Sequence, residues 1–451
     1  MASVSDQSDF DELCGLVAEE VARLRVPGFA IGLLKDGEEF SAGFGVTNVD
    51  HPLAVDGETL FQIGSITKTF VATAAMRLVE DGRLDLDAPI RRYLPDLRLA
   101  DAEVANSVTS RHLLTHTGGW LGDYFSDTGR GDDALARYVA ELADVEQMTP
   151  LGTVYSYCNS GFCLMGRVIE VLTRETFEAA LQRLVLAPLG LERSFVFPED
   201  VMTHRFASGH ADVGGHAIVL RPWQLPRSAT PAGGIIASVR ELLRYARFQL
   251  EDGQGLLSHE SIHAMRQPLV PSTGLPDRAV GLAWNIAPGG INHSGGTYGQ
   301  RAFLLVCPDK RLALAEFGNS RSADRVMLRV GQWVGERLLG LPRQETPAAF
   351  AADADALDGC VGVYEGADRL EVGRLGDALV VREIDLGGFP TKGTPPPPGP
   401  PPPLIRMGFY ADDRLVGLDP PFTEVRAEVI RGEDSQVDWL RFRSRIHRRV
   451  R

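Results

Sequence analysis

Apolar positions in the first part of the chain change from a helical to a strand period. Residues 11–25 place apolar side chains at helical spacing, and the Pro27-Gly28 pair ends that pattern. Residues 29–34 are continuously apolar, and a turn leads from them into a second run over 39–46. The pattern predicts an amphipathic helix followed by a β-hairpin.

A second helix is predicted after Gly64. Residues 66–79 are apolar nearly all round and end at Gly82, which is typical of a core helix closed by a glycine. Its first turn carries Ser65 and Lys68, which share one face with Cβ atoms about 5–6 Å apart. The free N–H groups of a helix N-terminus also favour negative charge nearby. This turn is the first candidate for chemistry.

The rest of the first 340 residues mixes helical and strand patterns. Residues 90–195 are largely helical, which predicts an all-helical insertion. Strands are expected around 283–286, 302–307 and 312–317, and a helix over 323–339. Strand runs with helices at each end predict an α+β fold, in which an antiparallel sheet is flanked by helices.

The end of the chain has a different composition. Residues 343–355 are polar and alanine-rich, and they are expected to link a first domain at 1–342 to a second at 356–451. The second domain has short apolar runs separated by glycine turns, which predicts an all-β fold. Its proline block at 395–403 lacks amide donors and is expected to form an exposed, extended loop.

Composition narrows the functional classes. The chain has 451 residues, of which 44% are hydrophobic and 24% charged, as in a folded globular protein. A net charge of −14 argues against nucleic acid and membrane partners, and no apolar run reaches the ~18 residues of a membrane helix. The acidic start lacks the pattern of a secretory signal, and the five cysteines form no disulfide or zinc pattern. These features predict a cytoplasmic protein without a metal or other cofactor.

Lysine usage singles out one residue. Only four of the 46 basic residues are lysines, at positions 35, 68, 310 and 392. Arginine keeps its proton in proteins, whereas a buried lysine can lose its proton near neutral pH. Lys68 beside Ser65 therefore indicates a general base next to a nucleophile, and this pair predicts a serine hydrolase that forms an acyl-enzyme.

Two further motifs carry candidate side chains. The sequence Tyr-Cys-Asn at 157–159 precedes an apolar helix, where a core tyrosine and an N-cap asparagine would give the same pattern. The sequence His-Ser-Gly-Gly at 293–296 precedes the strand at 302–307, and its glycines allow a substrate to approach the backbone. A backbone N–H at such a strand edge can stabilise an oxyanion.

In order and spacing, these three motifs resemble the signature of the serine β-lactamase and penicillin-binding protein superfamily. The resemblance is closest to its class C-like branch, which holds esterases, D-aminopeptidases and related peptidases. It covers about residues 20–340 and includes FQIG at 61–64, LLTHTGG at 113–119, PLGL at 188–191 and PAGG at 231–234. It implies a β-lactamase/transpeptidase-like fold, and the C-terminal domain resembles the lipocalin-like modules of some members.

The resemblance also implies a role for each candidate residue. Ser65 would be the nucleophile, Lys68 would accept its proton, and Tyr157 would pass a proton to the leaving group. Asn159 would orient Lys68 and the acyl amide. The backbone N–H groups of Ser65 and Gly296 would form the oxyanion hole.

One departure from the family pattern bears on the substrate. His293 stands where secreted members commonly carry a lysine that binds a substrate carboxylate, and histidine is at most partly charged at pH 7. We therefore expect a small ester, an amide or a short D-aminoacyl peptide as substrate. Activity of the β-lactamase or DD-carboxypeptidase type is the alternative, and a homo-oligomer is compatible with the sequence.

Two other classes of function stay open. The sequence HESIH at 259–263 spells the zinc-protease motif H-E-x-x-H, in which His259 and His263 would bind zinc and Glu260 would activate water. Its short, polar context favours a solvated helix instead. The other class is a non-catalytic, acyl-binding sensor. An α/β-hydrolase is not indicated, because no serine lies in a G-x-S-x-G motif.

Overall fold

The structure is a computed structural model that describes residues 4–272, 277–343, 345–396 and 402–450. In these ranges the chain forms a mixed helix and sheet domain, followed by a separate β-barrel. The strands of the first domain are β1 (Gly28–Lys35), β2 (Glu38–Gly45), β3 (Phe61–Gln62), β4 (His210–Val213), β5 (His216–Val219), β6 (Ile236–Ala237), β7 (Val270–Pro271), β8 (Ala279–Val280), β9 (Asn285–Ala287), β10 (Gly290–Thr297), β11 (Gln300–Cys307) and β12 (Leu312–Gly318).

Helices cover the sheet and fill the insertion. They are α1 (Val4–Arg23), α2 (Thr67–Glu80), α3 (Ala102–Ser107), α4 (Ser110–Leu114), α5 (Ala134–Glu141), α6 (Asn159–Thr173), α7 (Phe177–Leu181), α8 (Pro198–Val201), α9 (Thr230–Gly233), α10 (Val239–Leu250), α11 (His259–Met265), α12 (Ala323–Val334) and α13 (Ala354–Cys360). Short 3-10 turns lie at Gly64–Ile66, Ile90–Arg92, Leu142–Asp144, Arg227–Ala229 and Pro308–Lys310, and π turns lie at Gln182–Leu186 and Gly335–Leu339. None of these helices, within the described ranges, combines the length and apolar character needed to cross a bilayer.

An antiparallel sheet of eight strands forms the centre of the first domain, in the order β2-β1-β12-β11-β10-β9-β8-β7. Strand β1 lies between β2 and β12 and is buried along almost its whole length. Phe29, Ile31 and Leu33 pack with α1 and α12, whereas Ala30 and Leu34 belong to the core on the other face. The continuous apolar run in the sequence follows from this burial on both faces.

Helix α2 runs through the largest hydrophobic core that the described residues of this domain form. The 3-10 turn at Gly64–Ile66 leads directly into α2, and Gly82 follows its end with a φ of +68°. Helices α6 and α9 pack against α2 near its N-terminal turn. The turn that carries Ser65 is therefore held between the sheet and the helical insertion.

The C-terminal domain is a closed antiparallel barrel. Each strand pairs with the next along the chain, and the last strand pairs with the first. Helix α13 packs into the barrel core through Leu357 and Cys360. The strands are β13 (Gly362–Glu365), β14 (Arg369–Leu375), β15 (Ala378–Ile384), β16 (Ile405–Ala411), β17 (Arg414–Gly417), β18 (Arg426–Arg431), β19 (Val437–Phe442) and β20 (Arg445–Arg449).

The predicted fold class is confirmed: an antiparallel sheet flanked by helices, a helical insertion and an all-β C-terminal domain. The domain boundaries at 342 and 356 stay predictions. Residues 397–401 of the predicted proline loop lie outside the described residues. Strand β10 was not predicted, because its glycines and polar side chains interrupt the apolar alternation. In the barrel, the sequence predicted strands at 361–364, 370–372, 378–381 and 439–442 only, so β16, β17, β18 and β20 were missed. Arginines occupy three of the five positions of β20 and two of the six positions of β18, which hides the apolar alternation there.

Candidate active site

Two glycines bring strand β10 against the turn that carries Ser65. Gly64 has a φ of +53°, and a Cβ atom there would lie 2.6 Å from the Gly296 nitrogen. A Cβ atom on Gly295 would lie 1.9 Å from the carbonyl oxygen of Ile63. Only residues without side chains permit this approach. It places the backbone of Gly296 beside the turn of Ser65.

The Lys68 amine contacts three oxygen atoms. Nζ lies 3.1 Å from Ser65 Oγ, 2.6 Å from Asn159 Oδ1 and 2.6 Å from the carbonyl oxygen of Ala232. The last two oxygens can only accept hydrogen bonds. When the amine is neutral, its two N–H groups satisfy these acceptors and its lone pair is left for the Ser65 hydroxyl.

Burial also favours the neutral form of Lys68. Its side chain is fully buried, and desolvation lowers its pKa from 10.5 to about 7. The positive charge of Arg445 lowers the pKa further, whereas Asp123 raises it. At neutral pH a substantial fraction of Lys68 is therefore unprotonated.

Tyr157 lies above this pair in an aromatic and cationic environment. Its ring stacks on His116 with centroids 4.4 Å apart, and Lys68 Nζ and the Arg445 guanidinium lie 4.9 Å and 4.8 Å from its centroid. Burial raises the pKa of Tyr157 well above its ordinary value, although a hydrogen bond with Ser65 opposes that rise. Tyr157 therefore keeps its phenolic proton at neutral pH.

His293 is a neutral, buried side chain next to this site. Burial, followed by the nearby Lys68, lowers its pKa to about 3. Its Nδ1 donates to the carbonyl oxygen of Ser294 at 2.7 Å, which fixes the tautomer. An uncharged imidazole does not provide the cationic carboxylate contact that a lysine would give at this position.

His116 supports the Tyr157 segment rather than the chemistry. It has a φ of +59° and is buried, and its Nδ1 accepts the backbone N–H of Cys158 at 2.9 Å. Burial lowers its pKa well below the ordinary value, so it stays a neutral acceptor.

Two residues of the site were not found from the sequence. Asp123 accepts hydrogen bonds from Asn159 Nδ2 and, at 2.5 Å, from Arg445 Nε. Arg445 begins the last strand of the barrel, so the second domain contributes directly to the site. No local pattern marks a pair of residues that lie 322 positions apart.

Five of the six predicted residues, Ser65, Tyr157, Asn159, His293 and Gly296, line one cleft between the two domains. The sixth, Lys68, is fully buried next to Ser65. The cleft has a volume of about 510 Å³ and opens above Ser65. Its barrel side is formed by Asp368, Glu383, Asp385, Phe389, Arg443 and Arg445.

The H-E-x-x-H segment lies outside this cleft, on helix α11. His259, Glu260 and His263 are exposed, His259 lies 3.6 Å from Asp252, and His263 is hydrogen-bonded to Gln267. In the part of the chain that the structure describes, no group of three or more His, Cys, Asp or Glu residues could hold a metal ion.

Comparisons with known proteins agree with this arrangement. The model of the β-lactamase family matches residues 14–332. Penicillin-binding protein 4 of Amycolatopsis lactamdurans is 38% identical over 350 residues, which cover 73% of this chain and 90% of that protein.

Solved structures share both domains. A crystal structure of SurE with D-Leu has a TM-score of 0.77 and 26% identity, and covers 98% of this chain and 100% of that chain. An octameric penicillin-binding protein homologue from Pyrococcus abyssi has a TM-score of 0.66 and 25% identity, with coverage of 97% and 99%.

Proposed function

The chain belongs to the β-lactamase family of serine hydrolases, and from that premise we propose that it cleaves small ester or amide substrates through an acyl-enzyme on Ser65. The proposed base is Lys68, and the proposed proton relay is Tyr157. The backbone N–H groups of Ser65 and Gly296 are the proposed oxyanion hole.

The contacts of the Lys68 amine carry this proposal. Asn159 and Ala232 occupy its two N–H groups, so the lone pair is available to the Ser65 hydroxyl 3.1 Å away. As Ser65 Oγ attacks the substrate carbonyl, its proton passes to Lys68 and the carbonyl oxygen becomes negative. The resulting ammonium keeps the same two acceptors, so the site needs no rearrangement.

Collapse of the tetrahedral intermediate requires a proton for the leaving group. Tyr157 keeps its phenolic proton at neutral pH, and its ring centroid lies 4.9 Å from Lys68 Nζ, so it can donate to the leaving atom while Lys68 replaces that proton. The leaving group departs protonated, and the acyl group stays on Ser65 as an ester. Water then releases it by the reverse sequence of proton transfers.

We favour D-aminoacyl esters and amides as the substrate class. The structural similarity to SurE extends over nearly the whole chain, and that protein was crystallised with D-Leu. The neutral His293 supports a substrate that needs no carboxylate contact at this position. The 510 Å³ cleft is large enough for a short peptide segment.

The second candidate is β-lactamase or DD-carboxypeptidase activity. It is supported by the 38% identity to a penicillin-binding protein. A third candidate, an acyl-binding sensor, shares the acylation step but lacks deacylation.

Mass spectrometry of the intact protein tests these candidates. We expect p-nitrophenyl esters and D-aminoacyl amides to turn over, Ser65→Ala to abolish both acylation and turnover, and the exposed Ser107→Ala to behave as the unsubstituted protein. A persistent adduct on Ser65 without turnover would identify a sensor, and preference for a chromogenic cephalosporin would favour the second candidate. Labelling of a residue other than Ser65 would overturn the proposal.

We also propose a cytoplasmic, oligomeric protein. All five cysteines lie in the described residues and are free, which suits a reducing compartment. The octameric homologue supports self-association. Light scattering after size-exclusion chromatography would measure the assembly, and a monomer at all concentrations would contradict the oligomer.

A further inference from the structure

The last hairpin of the barrel is docked on the chain segment that leads to Tyr157. The backbone N–H of Tyr157 donates to the carbonyl oxygen of Ser444 at 2.8 Å. Ile446 donates its N–H to Ser156 Oγ at 3.2 Å, and Arg441 donates to the carbonyl oxygen of Tyr155 at 3.1 Å. The barrel thus holds this segment at three consecutive residues.

Arg445 extends this docking to the proposed base. Its Nε donates to one carboxylate oxygen of Asp123, and the other oxygen accepts from the Asn159 amide nitrogen. The Asn159 carbonyl oxygen in turn accepts from Lys68 Nζ. The amide orientation of Asn159 is thereby fixed, because each end has a partner of the right polarity.

Asp123 and Arg445 are also the charged neighbours that act on Lys68 at neutral pH. The other titratable groups that face Lys68 come from the loop after α4, the loop before α6, α6 itself and β10. Burial holds each of them in its uncharged form, since it raises the pKa of the thiols and the phenol and lowers the pKa of the imidazoles. These groups are Cys158, Cys163, Tyr157, His116 and His293.

We propose that Arg445, supplied by the barrel, is a positioning residue for the base: through Asp123 it holds Asn159 on Lys68, and its charge favours the neutral amine. This inference rests on the proposed function, because it assigns Lys68 as the base that accepts the Ser65 proton. It gives the C-terminal domain a direct part in acylation.

The pH dependence of acylation tests the inference. The rate at which a fluorophosphonate labels Ser65 would be measured by intact-protein mass spectrometry at about pH 5 to 9. In Arg445→Gln, loss of the positive charge favours the ammonium form of Lys68. The acid limb of the curve of labelling rate against pH should therefore move to higher pH by about 0.5–1 unit. In Asp123→Asn the limb should move to lower pH, because the carboxylate no longer stabilises the ammonium. Both variants should also label more slowly at the plateau.

Conservative and remote variants serve as controls. Arg445→Lys retains the charge but not the fork geometry, so its limb should stay in place while its plateau rate falls. Arg374→Gln removes a barrel arginine that pairs with Asp358 outside the cleft, and it should change neither quantity. Near-ultraviolet circular dichroism would show that each variant is folded.

Three results would overturn the inference. One is slower labelling of Arg445→Gln and Asp123→Asn with an unmoved acid limb, which would reduce Arg445 to a docking residue. Another is slower acylation of Ser65 in Arg445→Gln with negatively charged acyl donors only, which would make Arg445 a contact of the substrate. The third is absence of Ser65 labelling in the unsubstituted protein, which would overturn the proposed function as well. If Ser65 is labelled but the acid limb is the same in the two variants as in the unsubstituted protein, only the role of Arg445 is overturned and the proposed function stands.

Discussion

At the scale of single residues, the site depends on one lysine whose environment changes its chemistry. Lys35 forms a partly buried ion pair with Asp6, whereas Lys68 has no carboxylate within hydrogen-bond distance among the described residues. Its amine contacts only neutral oxygens. Burial without an ion-pair partner is what lowers the pKa of Lys68 to about 7.

We predict that the rate of acylation rises with pH through about 7, because the neutral amine is the active form and the pKa of Lys68 is about 7. Lys68→Arg should lower kcat/KM at least ~100-fold, since arginine cannot give up its proton. The matched substitution Lys310→Arg, in an exposed turn, should have no effect. Steady-state kinetics with a p-nitrophenyl ester would measure both, and an active Lys68→Arg variant would exclude Lys68 as the base.

A second residue-scale prediction concerns His116. His116→Phe keeps an aromatic ring against Tyr157 but leaves the buried N–H of Cys158 without its acceptor. An unpaired buried donor costs about 1–3 kcal/mol, so the melting temperature should fall. An unchanged melting temperature in differential scanning calorimetry would show that His116 does not brace this segment.

At the scale of elements, the site depends on the contact between the 3-10 turn before α2 and strand β10. The two elements touch through their backbone atoms at Gly64 and Gly295, and a Cβ atom at either position would not fit. The glycines at 64 and 295 are therefore required by packing. From the sequence, the glycines at 295 and 296 were expected only to let a substrate approach the backbone.

Gly295→Ala should separate these two elements. The added Cβ would lie 1.9 Å from the backbone oxygen of Ile63, so β10 or the turn must shift, and we expect a loss of about 2–4 kcal/mol with a large fall in Ser65 labelling. Gly331→Ala in α12 has nothing within 4 Å and should stabilise the protein by about 0.5–1 kcal/mol. Thermal unfolding would compare the two; full activity of Gly295→Ala would show that the contact is adaptable.

At the scale of the whole molecule, the barrel completes the cleft. Beyond the hairpin contacts with residues 155–157, Trp439 Nε1 donates to the carbonyl oxygen of Met148, and Arg448 donates to those of Gln147 and Met148. These bonds connect β19 and β20 to the loop that precedes Tyr157. Residues of both domains therefore line the candidate site, although each domain has its own hydrophobic core.

We predict that a chain ending at residue 342 labels Ser65 at least ~10-fold more slowly than the full chain, because small displacements of reacting groups are costly. The measurement is fluorophosphonate labelling, with near-ultraviolet circular dichroism as a control for folding. Limited trypsin digestion of the full chain should cut after Arg343 and so test the predicted linker. A folded, fully reactive fragment would show that the barrel serves another purpose.

The sequence by itself determined the local features of this protein. The apolar periods located β1, α2, β11, β12 and α12 to within a few residues, because each is buried against the core and its side chains must match that environment. The motifs that carry Ser65, Lys68, Tyr157, Asn159 and His293 were visible for a similar reason, since each lies at a helix start or beside glycines. Their roles stay predictions until the experiments above are done.

The tertiary structure decided what depends on distant parts of the chain. The ion pair of Asp123 and Arg445 joins positions 322 residues apart, and the local sequence around each residue resembles that around many other charged residues. The closure of the barrel and its docking on the Tyr157 segment likewise depend on distant residues. The sequences of the barrel strands do not indicate which strand or segment each of them contacts. Local sequence reflects burial and turn geometry, because both act on neighbouring residues. A pair of charges between two domains forms only when both domains have folded and are in contact.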